Sequence, residues 1–296
     1  FFGLCLAGAF TVDSDTARHW LHQPNPHGRP NSEVLRPIWN GVDVTQGWKG
    51  RWVIDFGTNL SEEEAALYEA PFAQVLEKVK PVRMSNREKS RVDYWWRHGR
   101  SRPELRRKLA GLTRYIATSE TAKYRAFIWL PVRVAPEHKL VVIARDDDAT
   151  FGVLSSRFHT VWALATGATL GQTPVYTASL CFETFPFPAG LTPNIPASEY
   201  ADDPRAQAIA NAARKLNELR ENWLNPPEWV DRVPEIVPGY PDLLIPKPEC
   251  AAELKKRTLT NLYNQRPTWL DHAHRAVDEA VAAAYGWPAP RRCPAP

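Results

Sequence analysis

Cysteine and methionine are scarce in this sequence, with four of the first (Cys5, Cys181, Cys250, Cys293) and one of the second (Met84). The cysteines are scattered. None forms a Cys-X-X-Cys pair and none stands at metal-ligand spacing from a histidine, so neither a zinc site nor a disulfide framework is expected. Free thiols in a reducing, cytoplasmic compartment are the expectation instead. No apolar run approaches the ~20 residues of a membrane span. The opening FFGLCLAGAF is apolar but short, and no basic segment precedes it, which argues against a signal peptide. With Phe at position 1 and a single internal Met, it reads as a cut in a longer polypeptide. GxGxxG, FxGxG, P-loop and GxSxG patterns are absent as well. The chain therefore carries no nucleotide or S-adenosylmethionine cradle of its own, and it shows no internal repeat.

Proline and tryptophan, by contrast, are plentiful, at 27 and 12 among 296 residues. The prolines point to many irregular connections, and the tryptophans to broad buried aromatic surfaces. A hydrophobic fraction of 44% suffices for a core. Net charge is only +4, yet residues 78–125 hold 15 Lys and Arg against the acids Glu88, Asp93, Glu104 and Glu120. An excess of one sign, interleaved with Tyr94, Trp95, Trp96 and His98, is the pattern that attracts a nucleic acid. The plainer reading of the same run is a solvated helical face.

Periodicity and punctuation outline the elements. Residues 13–23 read as a short helix capped by Asp13 or Ser14, and 51–57 as a strand. Ser61 and Glu64 form a capping box ahead of a helix that Pro71 kinks or divides. Two helical pieces follow within 86–111. Segments 114–118, 126–134, 139–144 and 150–156 are predicted strands, with Asp146, Asp147 and Asp148 in the turn before the last. Residues 157–167 have helical spacing and a glycine stop, 170–179 read as a loop, and 180–188 as a strand. Composition shifts after Pro188. An Ala-rich amphipathic helix spans 205–225, a Pro-rich excursion covers 226–248, and a final helical pair closes the chain. The expectation is an α+β, mixed-sheet body over 1–190 followed by an all-helical region over 191–296.

Three local patterns suggest chemistry and are outweighed by simpler readings. NPPEW (225–229) resembles the catalytic loop of amino-methyltransferases, but it follows a helix and has Glu228 at the aromatic position, so helix termination explains it. Asp242, Glu253 and Lys255 fit the loose PD…ExK spacing of metal-dependent nucleases, yet Glu253 and Lys255 lie in a helical stretch. Asp146–Asp148 is an ordinary acidic turn.

A set of linked phrases carries a resemblance: NPHGRPNSEVLRPIWNGVD, GRWVIDFG, YEAPFAQVLEKVKP, RVDYWWRHG, RYIAT, ARDDDATFGVLSSRFHTVWALATG, FETFPFP and TLTNLYNQRPTWLDHAHRAVDEAVAAAYGWP. Together they resemble the C-terminal portion of MmeI-like DNA adenine-N6 methyltransferases of the type IIL class, over about residues 3 to 289. The resemblance implies a target recognition domain followed by a helical C-terminal region. It places the catalytic loop and the S-adenosylmethionine site in an upstream domain outside this chain, so no catalytic residue, metal or cofactor is expected here. Double-stranded DNA and that upstream methyltransferase domain are the expected partners, with no membrane.

An enzyme that modifies a base must flip it out of the stack, so its recognition half has to grip phosphates and read base edges. Arg97, Arg100, Arg102, Arg106, Lys123 and Arg125 are the backbone-binding candidates. They rank above Arg145, which has the Asp run beside it, and above Arg157. The resemblance places sequence reading in the loop before FETFPFP, where Gln172, Tyr176, Thr177 and Ser179 can donate or accept. The competing reading, from another class, is a protein-interaction module that docks the catalytic half.

Overall fold

Strand β1 (Thr11–Asp13) runs straight into helix α1 (Ser14–His22), because the Asp13 carboxylate accepts the Thr16 N–H at 2.8 Å and caps the helix. The computed structural model describes residues 1–289. After β1 and α1 come β2 (Leu35–Trp39), α2 (Gly41–Gln46) and β3 (Arg51–Ile54). Strand β3 lies between β1 and β2 and is antiparallel to both. Its Trp52, Val53 and Ile54 are fully buried at the centre of one hydrophobic cluster.

Helices α3 (Glu62–Ala66) and α4 (Glu69–Lys78) pack over that cluster, and the expected capping box of Ser61 and Glu64 starts the first. The helix divides at Leu67–Tyr68, just ahead of Pro71. Pro71 itself sits in the first turn of α4, where a missing N–H costs no intrahelical bond. Helices α5 (Lys80–Met84) and α6 (Lys89–Asp93) follow. Beyond α6 the chain leaves helical geometry, so Trp95 and Trp96 both turn inward although they are adjacent. Trp95 donates to Glu62 Oε2 at 3.0 Å and Trp96 to the Leu60 carbonyl at 3.1 Å. His98 is buried in the same cluster region, within 2.9 Å of the Ile54 carbonyl. Of the four aromatics that the sequence offered for stacking on nucleic acid, only Tyr94 faces solvent.

Helix α7 (Pro103–Leu109) leads to the second sheet. Strands β4 (Arg114–Ser119), β5 (Ile128–Pro131) and β7 (Leu140–Ile143) pair antiparallel in the order β5-β4-β7, while β6 (Ala135–Pro136) pairs parallel with β2 and ties the two sheets together. The predicted strand over 150–156 is in fact helix α8 (Asp148–Ser155). Asp147 caps it, accepting the Thr150 N–H at 2.7 Å, so the Asp run is a helix start and not a turn between strands. The misreading has a physical basis: a short run that is apolar on every side has no period to separate a buried helix from a buried strand. Helix α9 (Arg157–Thr166) follows as expected.

The predicted loop over 170–179 contains a hairpin, β8 (Ala168–Leu170) with β9 (Thr173–Val175). The predicted strand over 180–188 is replaced by a π-helical turn at Ala178–Phe182 and irregular chain, which buries Cys181 and Phe185.

In the C-terminal region, α10 (Pro204–Leu224), α11 (Ala251–Leu254), α12 (Leu259–Gln265) and α13 (Thr268–Ala284) supply the expected helices. The region is not all-helical, because β10 (Val230–Val233) and β11 (Leu243–Pro246) form an antiparallel hairpin inside the Pro-rich excursion. Helix α10 packs on α8 and α13. Gly152 makes the α8–α10 approach possible: a Cβ there would lie 2.5 Å from Ile209 Cγ2. One hydrophobic cluster runs from Val44 through Val142 and Leu216 to Ala284, so the chain before and after residue 190 shares a core. Among the described residues, no helix is long and apolar enough to cross a membrane. Overall the fold is α+β.

Candidate nucleic-acid interface

The β8–β9 hairpin overlaps the expected reading loop. Its register pairs Leu170 with Thr173, leaving Gly171 and Gln172 as a two-residue turn. The first turn position has φ +61°, which glycine adopts without a Cβ penalty. Residues 168–172 are all exposed. The base of the hairpin, by contrast, is rigidly fastened. Tyr176 N–H donates to the Glu120 carbonyl at 2.7 Å, and Thr121 bridges to Val175. Gly167 packs so closely that a Cβ there would meet the Val175 carbonyl oxygen at 2.8 Å.

Gln172 therefore stands at an exposed tip, as a base-reading side chain must. Thr177 is half-buried, and Ser179 is exposed on the π-helical turn. Tyr176 is corrected: its side chain is 1% exposed and cannot reach a base. Its hydroxyl lies 2.8 Å from His159 Nε2, and its ring meets Phe127 edge-on. Burial, then the charge of Arg125, pushes the His159 imidazole down to about 3, so it is neutral at pH 7.

Arg125 is corrected too. Its guanidinium lies 4.8 Å from the Tyr176 ring centre and donates to Thr118 Oγ1 at 2.9 Å and to the Ser119 carbonyl. Burial pulls Arg125 down to about 10, which leaves it charged at neutral pH. Arg125, Tyr176 and His159 form a polar layer under the hairpin, and their role is support.

Arg106 is likewise occupied. It forks onto Asp55 at 2.7 and 2.9 Å, and Arg36 approaches the same carboxylate at 3.5 Å. Burial alone would raise the Asp55 carboxyl, but Arg106 and the other cations outweigh it and hold the group well below the usual range. Arg114, on β4, pairs with Asp148 at 2.9 Å and lies over Trp129. Arg145, as one of its two readings held, pairs with Asp147 at 2.8 Å. The basic run is thus partly internal framework, which its one-signed composition concealed because the matching acids lie far away in sequence.

What remains for an anionic partner is smaller. Arg100 is exposed, Arg102 donates Nε to the Gly3 carbonyl at 3.0 Å, and Lys123 is exposed beside the hairpin with Nζ 2.8 Å from Asn264 Oδ1. Arg97 donates to the Leu60 carbonyl at 2.7 Å and lies over Tyr94. Lys78, Arg87, Lys89, Arg107 and Lys108 are exposed and form no ion pair among the described residues. Sequence reasoning ranked none of these five individually. Helical spacing places Arg107 opposite buried Leu105 and Leu109, whereas Arg106 and Lys108 flank that face equally, and only the contact with Asp55 separates those two.

The other patterns dissolve into structure. NPPEW ends α10: Asn225 is its C-cap, and Trp229 N–H closes a turn on the Pro226 carbonyl. Glu253, on α11, pairs with Lys256 at 2.7 Å, and no group of His, Cys, Asp or Glu among the described residues is arranged to hold a metal. Cys5, Cys181 and Cys250 are free thiols, while Cys293 lies outside the described residues.

The α+β frame thus presents an exposed hairpin and scattered exposed cations. The family model for the MmeI target recognition domain matches residues 7–189, and the chain belongs to that family. Its fold is similar to the structure of the type IIL restriction–modification enzyme MmeI in complex with DNA, with a TM-score of 0.67 at 19% sequence identity. The match covers 98% of this chain and 33% of that one, so the chain spans about a third of that enzyme's length. The likeness in fold therefore continues past residue 189 into the helical region. No curated protein sequence matches.

Proposed function

We propose that this chain is the sequence-reading module of a larger DNA-modifying polypeptide, a restriction–modification or adenine-N6 methyltransferase protein. It binds double-stranded DNA and positions it for an upstream methyltransferase domain. The observation that carries this reading is the exposed β8–β9 hairpin, anchored at its base and tipped by Gln172. A two-stranded ribbon fits the major groove, and a Gln amide pairs with the N6 and N7 edge of adenine. Thr177 and Ser179 stand close behind in sequence as further donors and acceptors. Arg97, Arg100, Arg102 and Lys123 serve the phosphates, joined by the exposed pair Arg107 and Lys108 on α7.

S-adenosylmethionine does not fit the residues present. Every pairing between named strands is antiparallel apart from the two-residue β2–β6 contact, so the described residues form no parallel sheet with a cofactor crevice at its switch point. The cofactor and the methyl transfer belong to the upstream domain.

The rival reading, a module that docks the catalytic half without binding DNA itself, is favoured by exposed Leu76, Val82 and Met84 on α4 and α5. Fluorescence anisotropy with random 30-mer duplex across a salt series separates the two. A steep fall of log affinity with log salt supports DNA recognition. Absence of binding even at low salt moves the docking reading to first place.

A further inference from the structure

Three arginines converge on one small cavity, and among the described residues a single carboxylate pairs with them. Arg83 on α5, Arg91 on α6, and Arg97 line a cavity of about 190 Å³ together with Ser90, Tyr94 and Ser101. Arg83 is 2% exposed. Its Nη2 reaches the Leu6 carbonyl at 3.1 Å and the Arg97 carbonyl at 3.3 Å, but its Nε is buried with no hydrogen-bond partner among the described residues. Arg97 Nε is buried and unpartnered in the same way. Among the described residues the one carboxylate paired with these arginines is Glu88, which meets Arg91 at 2.7 Å.

Arg83 is buried and Arg91 and Arg97 are half-buried, so three guanidinium groups against one carboxylate, two of them with orphaned donors, leave charge and donor capacity unspent. Desolvation, and then the neighbouring charge of Arg91, depresses Arg83 below the ordinary arginine value, with Glu88 opposing in part. Arg83 and Arg97 already make backbone contacts, so they are held in place with spare N–H groups rather than swinging free. Planar guanidinium forks on a small cavity suit a tetrahedral oxyanion, to which arginine binds through parallel N–H···O bonds.

We infer that Arg83, Arg91 and Arg97 form a phosphate-binding pocket, built to take one phosphate group. The natural source is a phosphate of the DNA backbone, and this assignment rests on the DNA-recognition reading. A free phosphate anion has the same chemistry and would fill the same pocket. The site adds Arg83 and Arg91 to the phosphate contacts and gives Arg97 defined partners.

The test uses the full 296-residue chain and three variants, Arg91→Gln, Arg97→Gln and Lys108→Gln. The last removes one exposed charge outside the pocket. Thermal unfolding is followed in inorganic phosphate against chloride at equal ionic strength, and duplex affinity is measured across a salt series. Phosphate should raise the wild-type midpoint and that of Lys108→Gln, and should lose this effect in both arginine variants. If the source is DNA, each arginine variant also lowers the slope of log affinity against log salt by about 1. Loss of phosphate protection with unchanged DNA binding supports the pocket and assigns it to free phosphate. A wild type that phosphate does not stabilise, together with arginine variants that bind DNA no differently from the wild type, overturns the pocket while leaving DNA recognition intact. A wild type stabilised by phosphate but unable to bind duplex at any salt keeps the pocket and rejects the DNA reading.

Discussion

Arg106 forks both terminal nitrogens onto the buried carboxylate of Asp55, although 51 residues separate them in sequence. The pair holds α7 against the end of β3, and Arg36 and His98 approach the same carboxylate. Removing Asp55 strands two cations at a site designed around an anion. Asp55→Ala should cost about 3–5 kcal/mol of folding stability, read from urea unfolding. Because the Asp55 carboxyl is held below its ordinary value, its stabilising contribution is present above about pH 4 and is lost as pH falls further. Acid unfolding of the wild type should therefore be steeper below that point than that of Asp55→Asn. Arg106→Gln should lower stability, whereas Arg107→Gln, one position away and exposed, should leave stability unchanged and weaken DNA binding.

Tyr176 and Gln172 should behave oppositely, although both lie in the segment that the family resemblance marks for reading. Tyr176→Phe removes only the hydroxyl that meets His159 Nε2. It should cost about 1 kcal/mol of stability and leave sequence preference as it was. Gln172→Ala should leave the melting temperature alone and change which sequences a duplex selection enriches. A Tyr176→Phe protein with altered preference and normal stability would count against the supporting role.

Gly171 sets the turn that carries Gln172. Substitution by alanine at φ +61° should weaken the hairpin by about 1 kcal/mol, while Gly171→Asn, which tolerates left-handed backbone, should weaken it less. Hydrogen exchange at Tyr176 N–H, bonded to the Glu120 carbonyl, reports the effect directly.

Gly152 tests the joint core of α8 and α10. A methyl group there meets Ile209 Cγ2 at 2.5 Å and the Ile209 carbonyl oxygen at 3.1 Å, and the backbone cannot yield easily. Gly152→Ala should destabilise the whole protein by about 1–3 kcal/mol in a single cooperative transition. Two separate transitions, with only the later one affected, would show that the segments before and after residue 190 unfold independently.

Asp278 on α13 runs against the usual carboxylate trend. Burial pushes it up to about 6, although its side chain accepts the Arg157 N–H at 2.7 Å. The folded protein thus holds this proton more tightly than the unfolded chain does. Its contribution to stability is fully present below about pH 4 and is lost as pH rises through 6. Asp278→Asn keeps an acceptor for Arg157 and carries no charge. It should gain about 1–2 kcal/mol at pH 8 and flatten the dependence between pH 4 and 6.

The sequence made α1, α9, α10 and α13 legible through caps and period, as with Asp13 ahead of α1 and the apolar spacing of 157–167. It also marked the basic concentration over 78–125 and, through linked phrases, the family. These features are local: a cap, a period or a run of charge acts within a few residues and leaves its mark there. The strand expected over 150–156 failed because α8 is buried all round by α10 and α13, partners about 60 and 120 residues away. The same non-locality decided the roles of the arginines. Arg106 meets Asp55, Arg125 lies beneath Tyr176, and Arg83 joins Arg91 and Arg97 around one cavity, whereas Arg107 and Lys108 remain in solvent. By itself, the sequence determined that this chain concentrates positive charge and belongs to the MmeI target recognition domain family. Only the tertiary structure decided which cations are spent on the frame and which are left for a partner, because a charge's role depends on what lies within a few ångströms of it, and chain order does not encode that distance.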